Sequence, residues 1–295
     1  MERVTEWMRR RGIRYKEGVS GGRLTTFGSG GAVRVVAEPK ADKEIADIIA
    51  FLTTGGVPYR VLGGGSNVLL PDEDYDGVIL RTARLETFSV RGTDITVGAG
   101  VRLPVFSRRC AALALSGAEF AEGIPGTVGG AVYMNASAFG SGISDVLRSV
   151  RLLYGGEIVT LPASALPMGY HRGGLPKGAV LLGATFRLTT GDEDGILERM
   201  RTFAARRAAT QPRERSAGSV FARAGETPAA LLIERTGLKG TRLGGAELSR
   251  KHCNFIVDMG GATTTEYYTL AERVRHEVRR ITGVTLAYEV EFIKC

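Results

Sequence analysis

The chain has 295 residues with a net charge of +8, and 41 of them are glycine, about twice the usual share of ~7%. The glycines follow no three-residue period and 43% of the chain is hydrophobic, which excludes collagen and a disordered polymer. The length suggests two domains, or one with a large insertion. The charge favours anionic partners, but without a basic run it points to phosphorylated small molecules, ahead of nucleic acid and membrane.

In chain order, 33–37 reads as a strand. Ile45, Ile48, Ile49 and Leu52 then mark a helix over 42–52 with Asp42 as its cap. A strand at 59–62 runs into Gly63-Gly64-Gly65-Ser66-Asn67, completing a strand–helix–strand unit that ends in a glycine loop. Strands are expected at 78–80, 87–90 and 95–97, the last two joined by a turn at 91–94, and a helix over 104–116. Seven glycines then fall in the 26 residues from Gly117 to Gly142.

Strands resume at 149–153 and 157–161 around Gly155-Gly156, and at 179–188, followed by a charged helix over 192–210 that stops at Gln211-Pro212. A domain boundary is placed near 190. Beyond it come a helix over 227–236, a strand at 254–257 and a long helix over 265–282. That helix has Tyr267, Leu270, Ala271, Val274, Val278 and Ile281 on one face, and a final strand covers 285–293. No internal repeat is evident.

Cys110, Cys253 and Cys295 lie far apart and never as C-x-x-C, so neither a disulfide framework nor a metal site is expected. The charged N-terminal segment lacks a signal peptide's apolar core, and no apolar run approaches the ~18 residues of a membrane helix; a soluble, cytoplasmic protein is expected.

Glycine loops after strands present unobstructed N–H groups to phosphates. No G-x-x-x-x-G-K-[ST] occurs, and Gly28-Ser-Gly30-Gly31 precedes a strand rather than a helix, so neither a P-loop nor a standard dinucleotide fold is indicated. Two loops remain, Gly63–Asn67 and Gly123-Ile124-Pro125-Gly126-Thr127-Val128-Gly129-Gly130-Ala131, and together they favour an extended diphosphate ligand.

These loops, the segment 24–31 and the long run Gly117–Ala136 resemble the UDP-N-acetylenolpyruvoylglucosamine reductase family, whose flavoenzymes make UDP-N-acetylmuramate for peptidoglycan. Matching segments run through most of the chain. The resemblance implies an α+β fold: a two-subdomain FAD-binding domain of the PCMH/vanillyl-alcohol-oxidase type (1–84 and 85–191) plus a C-terminal α/β substrate-binding domain (192–295). It assigns both loops to noncovalent FAD, with NADPH as reductant and a UDP-sugar as substrate.

Of the family's catalytic groups, the proton-donating serine corresponds to Ser219 in Ser216-Ala-Gly-Ser-Val-Phe221, and the glutamate to Glu289. Strand alternation would put Glu289 and Glu291 on one face. Glu291 stands where the family usually carries a basic residue. The family's Tyr-Arg reads here as Tyr170-His171-Arg172, and Arg172 is preferred over His171 because a bidentate cation suits a carboxylate. Tyr170, Arg223, Lys239 and His252 are substrate-binding candidates. No long insertion separates Arg172 from Ser219, as in the family's shorter subtype. The alternatives are an FAD-dependent oxidase or dehydrogenase of the same fold with another substrate, or a non-catalytic flavin- or UDP-sugar-binding paralogue.

Overall fold

The computed structural model describes residues 1–294; Cys295 lies outside the described residues, while Cys110 and Cys253 are buried free thiols. The chain forms two compact units, each assembled from separated pieces. The first comprises Met1–Glu17, Val35–Gly64 and Gly77–Arg207, and the second Gly18–Arg34, Gly65–Asp76 and the chain from Ala208 onward.

In the first unit the helix Asp42–Thr54 buries Ile45, Ile48 and Leu52 against Val35, Ala37, Val78 and Leu80. Asp42 is not the cap: Ala41 is, without a side-chain bond. Asp42 instead stands in the first helical turn, where a negative charge suits the helix dipole, and pairs with Arg151 at 2.8 Å. The strand Tyr59–Leu62 runs parallel to Tyr75–Arg81, in register Tyr59↔Val78 to Leu62↔Arg81.

A five-stranded antiparallel sheet follows, ordered Glu157–Pro162, Leu147–Tyr154, Val180–Arg187, Asp94–Gly98, Phe88–Arg91. Its tight hairpins fall at Gly92-Thr93 and Gly155-Gly156, where glycines supply the positive φ. The helix expected over 104–116 is Leu103–Ala111 only. Ala114 has φ +52, which stops the helix, and Leu115–Ser116 pairs instead with Thr189–Thr190. Helix Glu193–Thr210 closes the unit's element order and begins at Glu193.

The second unit carries an antiparallel sheet ordered Arg215–Ser219, Phe255–Asp258, Ala246–Leu248, Arg242–Leu243. Against it packs the helix Thr264–Thr282, started by a reciprocal Thr263–Glu266 capping box and ended by Gly283 at φ +75. Tyr267, Leu270, Ala271, Val274 and Val278 are buried as its pattern predicts, but Ile281 is 42% exposed, because it lies in the last turn, past the packed stretch. The helix expected over 227–236 shrinks to Ala229–Glu234: Thr227 is bonded back to Ala224, and the Thr236 hydroxyl bonds the Ile233 carbonyl at 2.6 Å.

The final segment is not one strand. Residues 287–289 bond to 220–222 (Ala222 N–H to Ala287 O, Glu289 N–H to Val220 O, both 2.9 Å), whereas Glu291 and Ile293 donate to Asn67 and Leu69. Only Glu291–Phe292 forms a regular pair, parallel to Val68–Leu69. The change of partner at Val290 separates the two acids: Glu289 is half-buried and Glu291 exposed.

Among the described residues no helix is long and apolar enough to cross a membrane, and no three His, Cys, Asp or Glu cluster as metal ligands would.

Candidate active site

Within the first unit the two glycine loops touch. A side-chain carbon on Gly64 would lie 2.6 Å from the Gly126 Cα, and one on Gly63 2.6 Å from the Thr127 Oγ1. Only glycine permits this approach, so loops sixty residues apart in sequence act as one backbone surface. Thr127 caps the helix Val128–Met134 by accepting from Gly130 N–H.

The second loop is less open to a phosphate than its glycines suggest. Val128 and Gly129 donate to Val101 O and Ala99 O at 2.8 Å, Ala131 donates to Thr127 O, and Ile124 donates to Ala121 O. Gly129 is needed for packing instead, since a Cβ there would meet Ala99 at 3.0 Å. What remains for an anion is the N–H groups of Gly123, Gly126 and Thr127. Beside Gly123 lies Arg207, whose Cδ would be 3.1 Å from an added Cβ. Burial lowers the pKa of its guanidinium while Glu122 acts the other way. A glycine backbone flanked by a half-buried cation fits a diphosphate-bearing cofactor such as FAD.

The first loop continues into the second unit at Gly65. There Gly65 packs on the Leu24 carbonyl, and its own carbonyl accepts from Thr26 N–H at 2.9 Å. The Thr26 hydroxyl in turn donates to Ser216 O at 2.7 Å, tying this segment to the strand that ends in Ser219. Asn67 Nδ2 donates to the Glu289 carbonyl at 2.9 Å. The loop's second half, the serine strand and the C-terminal segment thus converge.

Ser219 stands just past a bulge. The register runs Ser216↔Val257 and then Ser219↔Phe255, so one extra residue is accommodated at Ala217-Gly218, with Gly218 at φ +79. Bulges re-aim the side chains that follow them, and this one explains why glycine precedes the serine. The next residue, Val220, accepts from Glu289 N–H, so Ser219 and Glu289 are held on adjacent backbone. The side chain of Glu289 also raises the pKa of Tyr267, second to that phenol's burial.

Arg172 belongs to the first unit. It closes a two-residue turn with Gly169 (N–H to O distances of 2.8 and 3.1 Å), across which Tyr170 and His171 stack with ring centroids 4.0 Å apart. His171 takes φ +49 at this turn. The turn is anchored on the helix Val128–Met134, since Gly173 N–H donates to Tyr133 O and the Asn135 amide donates to Gly169 O at 2.8 Å.

The remaining candidates lie in the second unit. Arg223 donates to the Glu226 carbonyl at 2.8 Å, and Lys239 pairs with Glu234 at 3.5 Å. His252 is tucked in: its Nδ1 accepts from Asn254 N–H at 3.3 Å and its ring meets Phe255 edge-on. Burial, then nearby Lys239, lowers its pKa, so it is a neutral group rather than a phosphate-binding cation near pH 7.

Sequence reasoning missed Asn135, Arg207 and Asn254. Asn135 and Asn254 are buried polar side chains whose signal is only their burial and pairing, which no spacing announces. Arg207 sits in an Arg-Arg pair at the end of an otherwise charged helix and reads there as solvated.

Known proteins resemble this chain along most of its length. Residues 33–161 match the profile of an FAD binding domain, and 211–293 that of the UDP-N-acetylenolpyruvoylglucosamine reductase C-terminal domain. The UDP-N-acetylenolpyruvoylglucosamine reductase of Geobacter metallireducens is 38% identical over 92% of this chain and 91% of its own. That of Lactobacillus johnsonii is 36% identical over 97% of both. A crystal structure of UDP-N-acetylenolpyruvylglucosamine reductase from Thermus caldophilus superposes with a TM-score of 0.84 at 32% identity, over 96% of this chain and 100% of that one. With both profiles matched and these relatives covered almost end to end, the protein belongs to the UDP-N-acetylenolpyruvoylglucosamine reductase family.

Proposed function

We propose that this FAD-dependent reductase converts UDP-N-acetylglucosamine enolpyruvate to UDP-N-acetylmuramate, with Ser219, Glu289 and Arg172 as its catalytic residues. The observation that carries the residue assignment is the Ser219–Val220–Glu289 junction beside Asn67 of the first glycine loop. Gly63–Asn67 and Gly123–Thr127 supply backbone to the FAD diphosphate, and Arg207 supplies positive charge.

FAD held on these loops would supply hydride, drawn from NADPH, to the alkene carbon beta to the substrate carboxylate. Negative charge then develops at the alpha carbon and spreads onto the carboxylate. Arg172 binds that carboxylate as a fixed cation. Ser219 Oγ gives its proton to the alpha carbon and is reprotonated from solvent, so the alkene gains one hydride and one proton. Glu289, held on backbone adjacent to Ser219, assists in stabilising the enol-like intermediate. Tyr170, Arg223, Lys239 and His252 serve as UDP-sugar contacts, His252 as a neutral one. Such substrates and NADPH place the reaction in the cytoplasm.

The experiment follows flavin absorbance in the purified holoenzyme. NADPH bleaches the flavin bands, and the enolpyruvyl sugar restores them. Ser219→Ala keeps the bleaching but slows the restoration by ~10²–10⁴-fold, the range typical of a positioned acid. Rapid restoration by oxygen with no response to the sugar means an oxidase with another substrate.

A further inference from the structure

We infer that Asn254 is a positioning residue for proton transfer, setting Ser219 through the backbone of Val220 and Phe221. The inference rests on the assignment of Ser219 as proton donor. Asn254 is buried, at 6% exposure, and makes three bonds to the two residues that follow the serine. Its Oδ1 accepts from Phe221 N–H at 3.0 Å, and its Nδ2 donates to Phe221 O at 2.8 Å. Its own carbonyl accepts from Val220 N–H at 2.8 Å.

The location gives these bonds their meaning. Ser219↔Phe255 is the last registered pair between the serine strand and its neighbour. Past it the regular ladder stops, and the Asn254 side chain takes over, pairing with Phe221 as a peptide group of an adjacent strand would. Only an amide carries a donor and an acceptor in that planar arrangement. On the other side of Ser219 lies the Gly218 bulge. The serine is therefore held between a bulge that turns it and a clamp that stops the turn from relaxing. The Asn254 backbone carbonyl holds the N–H of Val220, whose own carbonyl receives Glu289 N–H, so the side-chain clamp on Phe221 stiffens the segment from which both proposed catalytic groups are set.

A residue acting in this way affects only the half of the cycle that uses Ser219. Flavin reduction by NADPH needs no proton delivered to the substrate carbon; reoxidation by the enolpyruvyl sugar does. Asn254→Asp keeps the size and one acceptor but loses the donor, and Asn254→Ser is too short to span to Phe221 and serves if the aspartate variant does not fold. Both are compared as holoenzymes with Ser219→Ala and with Val278→Ala, a core truncation in the helix Thr264–Thr282 at a residue with no proposed catalytic or binding role, which controls for a general loss of stability.

The expected result is a ~10–100-fold slower reoxidation, the scale of an ångström-level misplacement, with NADPH reduction and FAD affinity within about 3-fold of wild type. The Val278→Ala protein should lose thermal stability and keep both rates. Equal slowing of both half-reactions, or reoxidation unchanged in an Asn254 variant while Ser219→Ala slows it, overturns the inference. Unchanged reoxidation in Ser219→Ala overturns the serine assignment itself, a separate outcome.

Discussion

Gly64 and Gly126 approach so closely that a methyl group on Gly64 would stand 2.6 Å from the Gly126 Cα. Gly130, three residues into the capped helix, has only the Thr127 hydroxyl at 3.9 Å from its own added Cβ. Glycines of one motif thus do different work. Gly64→Ala should push the two loops apart, costing about 1–3 kcal/mol of stability, the usual range for overpacking, and releasing FAD on gel filtration. Gly130→Ala should fold at least as well, gaining about 0.5–1 kcal/mol from helix entropy. FAD titration of both proteins checks this. Equal flavin retention in the two would sink the idea of a shared backbone surface.

Gly218→Ala tests the bulge. At φ +79 an alanine is strained by about 1–2 kcal/mol, and the strand can relieve it only by losing the extra residue's conformation. The thermal midpoint should fall and substrate-dependent flavin reoxidation should slow, because Ser219 is re-aimed. Wild-type reoxidation in the folded variant would mean the bulge does not orient the serine.

Arg172 and His171 are separable by variants. Arg172→Ala should raise KM and lower kcat together, by ~10²-fold in kcat/KM, as expected for a lost charge-assisted bond to a carboxylate. His171→Asn should change little, since asparagine tolerates the φ of +49 that histidine adopts there. Steady-state kinetics decides; the reverse pattern assigns the carboxylate to His171.

The shift at His252 has a consequence for acid stability. Its folded pKa lies below the unfolded value of about 6.5, so the unfolded chain binds the proton first as pH falls. Its contribution is complete above that value and is lost as pH drops through it toward the folded pKa. Protonation would also put an N–H where Nδ1 now accepts from Asn254. Thermal melts at pH 7 and pH 5 should therefore show a smaller acid loss in His252→Gln than in wild type. An identical loss in both would contradict this.

Much of this site was legible because it is written in backbone requirements. Gly63–Gly65 occur where side chains cannot fit and Gly126 takes φ +112, and those needs leave a mark in sequence. Helix 264–282 was legible because six of its positions repeat at the helical period and five of them are buried. The parts that escaped depend on distant partners. The run 111–116 has good helix formers, yet Leu115–Ser116 pairs with Thr189–Thr190, a preference that no local window contains. The last segment alternates like a strand, but half of it bonds to 220–222 and half to 67–69. Asn254 reads as the polar first residue of an otherwise apolar strand; its clamp exists only once Phe221 lies opposite.

The pairing of Glu291 with Val68 joins positions 223 residues apart. Loop closure of that span cannot begin on the ribosome until the chain past Glu291 has emerged, whereas the helix Asp42–Thr54 and its parallel strands form from neighbours. The second unit also borrows Gly18–Arg34 and Gly65–Asp76 from the early chain, so those segments must wait unfinished during synthesis. The contact of Asn67 with Glu289 is fixed after these local elements, so the proposed catalytic region matures later than the helix and parallel strands of the first unit.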